Sequence, residues 1–101
     1  MVNKWDIPDW LERKVRNRDK FCVYCKVRLK EHPYGHKATF EHIDNNGLPT
    51  EDNIAMCCFS CNASKGTEKL LDWLGSPHCK RKKINEKTVA RIVKKYISSI
   101  S

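Results

Sequence analysis

The chain has 101 residues, of which 40% are hydrophobic and 32% charged, a composition that excludes intrinsic disorder and fits one domain over residues 1–101. It contains no run of about 20 apolar residues and no apolar leader, so we expect an intracellular, cytoplasmic protein without a membrane partner. The formal charge of +8 favours a polyanion such as nucleic acid, although solubility alone would also explain it.

The N-terminal half is predicted to form a helix followed by a hairpin. The helix covers about residues 8–18, where an apolar stripe follows acidic residues and a proline that suit a first turn. Residues 38–43 and 53–57 are predicted as two strands of a loose hairpin. Between them, the run Asp-Asn-Asn-Gly at residues 44–47 is a strong turn signal because Asn and Gly tolerate positive φ.

Three helices are predicted after the hairpin. The first covers about residues 60–65 and is ended by Gly66. The second covers about residues 67–75, with Thr67 as its N-cap. The last covers about residues 85–98, where apolar residues recur every three or four positions. A basic connector, made of Lys80, Arg81, Lys82 and Lys83, is expected between the second and the last helix.

Four of the six cysteines form two Cys-x-x-Cys pairs, Cys22 with Cys25 and Cys58 with Cys61. Each pair can fill two corners of a tetrahedron, so together they predict one structural Zn²⁺ site with no open position for catalysis. Disulfides and thiol redox chemistry are the alternatives. The missing export signal weighs against the first, and the missing βαβ pattern against the second. Cys57 is expected to be a small buried apolar residue.

Between the two pairs lies an acidic residue next to a histidine, Glu41-His42. Asn53 and Asn62 follow His42 by eleven and twenty residues, and Lys65-Gly66 follows shortly after. Together with the cysteine pairs, this constellation resembles the zinc-knuckle branch of the HNH endonucleases, the ββα-metal nucleases, as an HNN variant. The resemblance covers about residues 8–75.

The resemblance implies an α+β fold, with a small ββα-metal core over about residues 19–66 between an N-terminal helix and C-terminal helices. It implies that His42 is the general base and that Asn53 holds the hairpin loop in shape. Glu41 and Asn62 would bind one catalytic divalent cation, Mg²⁺ or Mn²⁺. The family usually has Asp before the histidine, and Glu41 is longer by one methylene. It would therefore reach the metal by a different rotamer or through water.

The residue types suit phosphodiester hydrolysis independently of the family. A neutral imidazole can take a proton from water near pH 7, and a hard cation bound by oxygen ligands can neutralise the developing charge. We therefore expect a DNA endonuclease that meets mainly the DNA backbone, with Lys65 and the basic connector as candidate phosphate contacts. The alternative is a non-catalytic zinc-knuckle module that binds nucleic acid. Either a monomer or a homodimer is compatible with the sequence.

The three other histidines have no acidic neighbour at a useful spacing. His32, His36 and His78 are therefore expected to be solvated, and His36 could also face DNA.

Overall fold

The structure is a computed structural model, which describes residues 7–100 of the domain predicted over residues 1–101. The described part has five helices and two strands, and it confirms the α+β class. In chain order the elements are α1 (Asp9–Arg18), β1 (Ala38–His42), β2 (Ile54–Cys58), α2 (Phe59–Lys65), α3 (Leu70–Leu74), α4 (Pro77–Lys82) and α5 (Arg91–Ile100), and a short 3₁₀ turn at Tyr34–His36 precedes β1. Across residues 7–100, none of the helices has the length and apolar character that a bilayer crossing requires.

The two strands form an antiparallel hairpin that has apolar packing on both faces. Phe40 is opposite Met56 and His42 is opposite Ile54 in this pairing. Every residue of β2 is buried. Because successive strand residues point to opposite faces, one face of the hairpin packs against α1 and the other against the second half of the chain. The core on the α1 side consists of Ile7, Leu11, Val15, Phe40, Ile54 and Met56.

The larger core lies on the other face and joins the cysteine pairs to the C-terminal helices. Trp73 of α3 is fully buried, and its ring meets Tyr24 edge-on with the ring centroids 4.9 Å apart. Val93 of α5 is also fully buried, so the apolar stripe predicted for the last helix packs on this core. Three of the paired cysteines are buried in the same cluster, which places the candidate metal site inside the fold rather than on its surface.

Helix α2 starts directly after β2 and ends close to its predicted position. At its start, the Cys58 sulfur accepts a hydrogen bond from the Cys61 N–H. At its end, Gly66 adopts a φ of 50° and its N–H donates to the Asn62 carbonyl. Positive φ favours glycine at this position, because a Cβ would be strained there. The short helix is therefore capped by Cys58 at its start and by Gly66 at its end.

The basic run at residues 80–83 is not a connector, because most of it belongs to helix α4. Ser76 caps this helix with its hydroxyl, which accepts from the Cys79 N–H, and Pro77 occupies the first turn. Serine followed by proline is a strong helix start. Four consecutive cations are typical of a solvated linker, whereas here the helix start is set by the Ser-Pro pair before them.

The helices on either side of α4 also differ from their predicted bounds. Helix α3 starts at Leu70 with Lys69 as its N-cap, so Thr67 is not the cap. Helix α5 starts at Arg91 instead of residue 85. The Ala90 N–H donates to the Val23 carbonyl at 2.8 Å, and the Asn85 side chain holds the preceding residues in a turn by accepting from the Lys87 N–H. Both are interactions that spacing of apolar residues does not reveal.

Candidate functional site

The four paired cysteines meet in one cluster. Their sulfur atoms all lie within 4.8 Å of one another, and those of Cys25 and Cys58 are 3.7 Å apart. Sulfur ligands of a tetrahedral Zn²⁺, with bonds of about 2.3 Å, lie about 3.8 Å from each other. The cluster therefore has the composition and spacing to hold a metal ion such as Zn²⁺. Cys57 is buried outside the cluster, as expected.

Backbone N–H groups of the two tight turns point at the sulfurs. Tyr24 and Cys25 donate to the Cys22 sulfur at 3.4 and 3.5 Å, and Cys61 donates to the Cys58 sulfur at 3.4 Å. Such donors stabilise the thiolate form, which is the form that binds metal. The turns therefore position the sulfurs and direct these donors at Cys22 and Cys58.

The close packing of the sulfurs also changes the pKa values of the thiols in opposite directions. Hydrogen bonding with Cys22 lowers the pKa of Cys25 and of Cys58. The pKa of Cys22 is raised by its hydrogen bonding with Cys25, and that of Cys61 by Cys22 and the other sulfurs. Four thiolates cannot form side by side without a cation to offset their repulsion. A bound Zn²⁺ would remove this conflict by attracting all four.

His78 lies half-buried on this cluster, instead of in the solvated position expected for it. Its Nε2 atom is 3.5 Å from the Cys61 sulfur, and its ring stacks on Trp73 with the centroids 5.9 Å apart. An imidazole N–H at this place can donate to the Cys61 thiolate. No spacing signal predicts this contact, because it depends on how α4 packs against α2.

Glu41 is inside the protein. Its carboxylate is 5% exposed, accepts a hydrogen bond from the Tyr24 hydroxyl at 3.1 Å, and forms an ion pair with Lys65 Nζ at 3.1 Å. Burial raises the pKa of Glu41, and the neighbouring Lys65 charge partly offsets this effect. The carboxylate is therefore satisfied by groups of the protein itself.

Lys65 is not available to DNA in this arrangement, which corrects its prediction as a phosphate contact. Its side chain has no exposure to solvent, and Nζ donates to the His42 carbonyl at 3.3 Å in addition to its pair with Glu41. A buried ammonium requires such partners, since an unpaired one would be very costly.

His42 lies half-buried at the end of β1. By strand alternation its side chain is on the opposite face from that of Glu41. Burial lowers the pKa of His42 below its usual 6.5, and the nearby Lys65 charge contributes a smaller lowering. The imidazole is thus neutral at pH 7, and among residues 7–100 it has no hydrogen-bond partner that would block a ring nitrogen.

Asn62 has one end of its amide fixed and the other available. Its Nδ2 donates to the Thr39 hydroxyl at 3.0 Å and to the Phe40 carbonyl at 3.3 Å. Because a carbonyl only accepts, the nitrogen must face β1 and Oδ1 must point away from that carbonyl. Asn62 lines a cleft of about 530 Å³ between α1, α2 and the 3₁₀ turn.

Asn53 ties the hairpin loop together. Its Oδ1 accepts from the Asp44 N–H at 2.8 Å, while its Nδ2 donates to the Asp44 and Leu48 carbonyls at 3.0 and 3.1 Å. Gly47 lies so close that a Cβ there would be 2.6 Å from Asn53 Nδ2. The loop conformation and the Asn53 side chain therefore depend on each other.

Helix α2 brings part of the predicted site together. Asn62 and Lys65 both reach β1, where they contact the carbonyls of the residues on either side of Glu41. Within residues 7–100, no hydrogen bond joins Glu41 to Asn62 directly. The other candidate cations are exposed, either on α4 or directly after it, namely Lys80, Arg81, Lys82 and Lys83.

No protein family, no curated protein and no solved structure gives a significant match to the chain.

Proposed function

We propose that the chain is a DNA endonuclease of the HNH type, an HNN variant that hydrolyses phosphodiester bonds with His42 as general base. The observation that carries this proposal is the contact of α2 with β1, in which Asn62 and Lys65 hydrogen-bond to the carbonyls on either side of Glu41. A hairpin, a following helix and a four-cysteine cluster at their junction are the elements expected of a ββα-metal site, and their presence supports the proposal.

Two further features support the hydrolytic role. The lowered pKa of His42 keeps the imidazole neutral at pH 7, which is the state required to take a proton from the attacking water. The three hydrogen bonds of Asn53 to the loop suit a residue that keeps the strand ends in place. The products would be the 3′-hydroxyl and 5′-phosphate ends that the resemblance implies.

The structural ion is proposed to be Zn²⁺, bound by Cys22, Cys25, Cys58 and Cys61. Its four sulfur ligands leave no open position, so its part is to fix the start of α2 and the side chain of Asn62 next to Cys61. In a small domain, such a site contributes on the order of 10 kcal/mol to folding.

The catalytic cation, Mg²⁺ or Mn²⁺, is only partly matched by the donors. The amide oxygen of Asn62 fits, since it is a hard ligand turned away from β1. The Glu41 carboxylate does not fit as a direct ligand while Lys65 holds it at 3.1 Å. When bound, the cation would neutralise charge that develops on the phosphate.

Nicking of a supercoiled plasmid tests the proposal. The zinc-loaded protein should nick in Mg²⁺ or Mn²⁺, whereas His42→Ala should keep its zinc and its fold and lose cleavage. His32→Ala, at an exposed histidine, is the matched control and should cut normally. EDTA should stop the wild type, and Mg²⁺ added without zinc should restore it if the chelator removed only the catalytic cation. Full activity in His42→Ala would refute the assignment of the base.

The Glu41–Lys65 pair favours one alternative, a non-catalytic zinc module that binds nucleic acid. In such a protein the pair would be purely structural and no divalent cation would be needed at Glu41. Zinc-loaded protein that binds DNA but fails to nick it in either metal would support this alternative over the nuclease.

A further inference from the structure

Two large aromatic rings lie together on the surface beside Asn62. Tyr34 belongs to the 3₁₀ turn and Phe59 is the first residue of α2, and they are 59% and 38% exposed. Their ring centroids are 4.7 Å apart with an angle of 58° between the planes. The two rings thus place a continuous aromatic surface in solvent, where neither is needed to complete a core.

The cleft of about 530 Å³ that Asn62 lines is also lined by both of these rings. Its cations are Arg16 and Lys37, with Lys37 Nζ 5.5 Å from the centre of the Tyr34 ring. Glu31 is its one acidic lining residue. Aromatic faces together with cations are the two components with which proteins bind unpaired nucleotides, through base stacking and phosphate contact.

We propose that this cleft binds single-stranded DNA, with a base stacked on Tyr34 or Phe59 and a backbone phosphate near Arg16 or Lys37. The inference rests on the proposed function, because it makes the strand in the cleft the substrate of the hydrolytic site next to Asn62. A base within a duplex is stacked on both sides and cannot reach these rings. The cleft therefore favours DNA that is unpaired close to the bond that is cut, such as a gap, a flap or a frayed end.

Binding of labelled oligonucleotides measures this directly. We would use fluorescence anisotropy with a 12-nucleotide oligo-dT strand and a mixed-sequence duplex of equal length. All variants would carry His42→Ala, so that the DNA stays intact. Tyr34→Ala and Phe59→Ala should each weaken binding of the single strand by about 5- to 100-fold, the usual effect of removing one stacking ring. Tyr34→Trp, which keeps a ring, should bind as its parent does.

Phe21→Ala is the matched control. Phe21 is 48% exposed and has a cation, Arg28, 5.5 Å from its ring centre, but it does not line this cleft. Its substitution should leave single-strand binding unchanged, and duplex binding should change little in any variant. Zinc content and circular dichroism confirm folding, and Tyr34→Ala, at the more exposed ring, decides the result if Phe59→Ala does not fold.

The inference would be overturned by no single-strand binding by the parent, by unchanged binding in Tyr34→Ala, or by an equal loss in Phe21→Ala. Equal losses for single strand and duplex would also contradict base stacking. Cleavage by the protein with His42 intact is measured separately on the same DNA. If Tyr34→Ala weakens single-strand binding but the protein with His42 intact does not cleave, the nuclease is refuted and the cleft assignment stands. If the protein with His42 intact cleaves but Tyr34→Ala binds the single strand as its parent does, the cleft assignment is refuted and the nuclease stands.

Discussion

Lys65 Nζ lies 3.1 Å from Glu41 Oε2 in an ion pair whose side chains are 0% and 5% exposed. The pair joins the last residue of α2 to the penultimate residue of β1. Tyr24 connects the pair to the core. Its hydroxyl donates a hydrogen bond to Glu41, and its ring packs edge-on against Trp73. A pair so far from solvent has already lost its hydration, and each charge now depends on its partner.

Removing one member of this pair should destabilise the fold strongly. Lys65→Met leaves the Glu41 carboxylate buried without a cation, and we expect the free energy of unfolding to fall by about 3–5 kcal/mol. Combining it with Glu41→Gln should restore part of this loss. Urea unfolding of zinc-loaded protein gives the values.

The exposed pair of Lys95 and Asp52 is the control for that measurement. Its atoms are only 2.9 Å apart, but its side chains are 65% and 68% exposed. Lys95→Met should therefore cost less than about 1 kcal/mol. A loss in Lys65→Met no larger than in Lys95→Met would show that the buried pair is not a determinant of stability.

His78 should strengthen zinc binding through Cys61. Its Nε2 is 3.5 Å from that sulfur, and its ring is held by stacking on Trp73. Groups that hydrogen-bond to metal ligands typically change metal affinity by about 10- to 100-fold. We therefore expect His78→Ala to release its zinc to a chelating indicator at a concentration at least 10-fold lower than the wild type requires. His32→Ala should hold zinc as the wild type does, and equal affinities in all three proteins would refute the role of His78.

Asn53 should be needed for the shape of the hairpin loop. Asn53→Ala removes three hydrogen bonds to Asp44 and Leu48, which should lower the free energy of unfolding by about 2–3 kcal/mol. Cleavage should fall as well, with zinc retained. Asn46→Ala, at an exposed asparagine of the same loop, should change neither quantity. Wild-type stability in Asn53→Ala would contradict the bracing role.

Local chemistry in the sequence was sufficient to predict the hairpin, the end of α2 at Gly66 and the gathering of four cysteines. Each depends on residues close in the chain or on a fixed ligand geometry. The partners of Glu41 and His78 were not predictable in this way, because Lys65 and Cys61 reach them only through the packing of α2. The start of α5 depends on a hydrogen bond from the Ala90 N–H to the Val23 carbonyl, 67 residues away in sequence. The spacing of apolar residues cannot predict such a long-range contact.

His42 should titrate below 6.5, because burial and the Lys65 charge both disfavour its protonated form. Imidazole NMR signals followed against pH measure this value. Lys65→Met removes the positive charge and should raise the pKa of His42, whereas Lys95→Met should not. If His42 is the base, the acidic limit of cleavage should move to higher pH in the same variant.

The same shift has a consequence for stability. The unfolded chain takes up the His42 proton at higher pH than the folded protein does, so protons favour unfolding through this group. The contribution of His42 to stability is complete above its pKa in the unfolded chain, about 6.5. This contribution is lost as the pH falls through its pKa in the folded protein. His42→Gln should therefore show a shallower loss of unfolding free energy as the pH falls below about 6.5. A His42 pKa at or above 6.5 would refute both the shift and this slope.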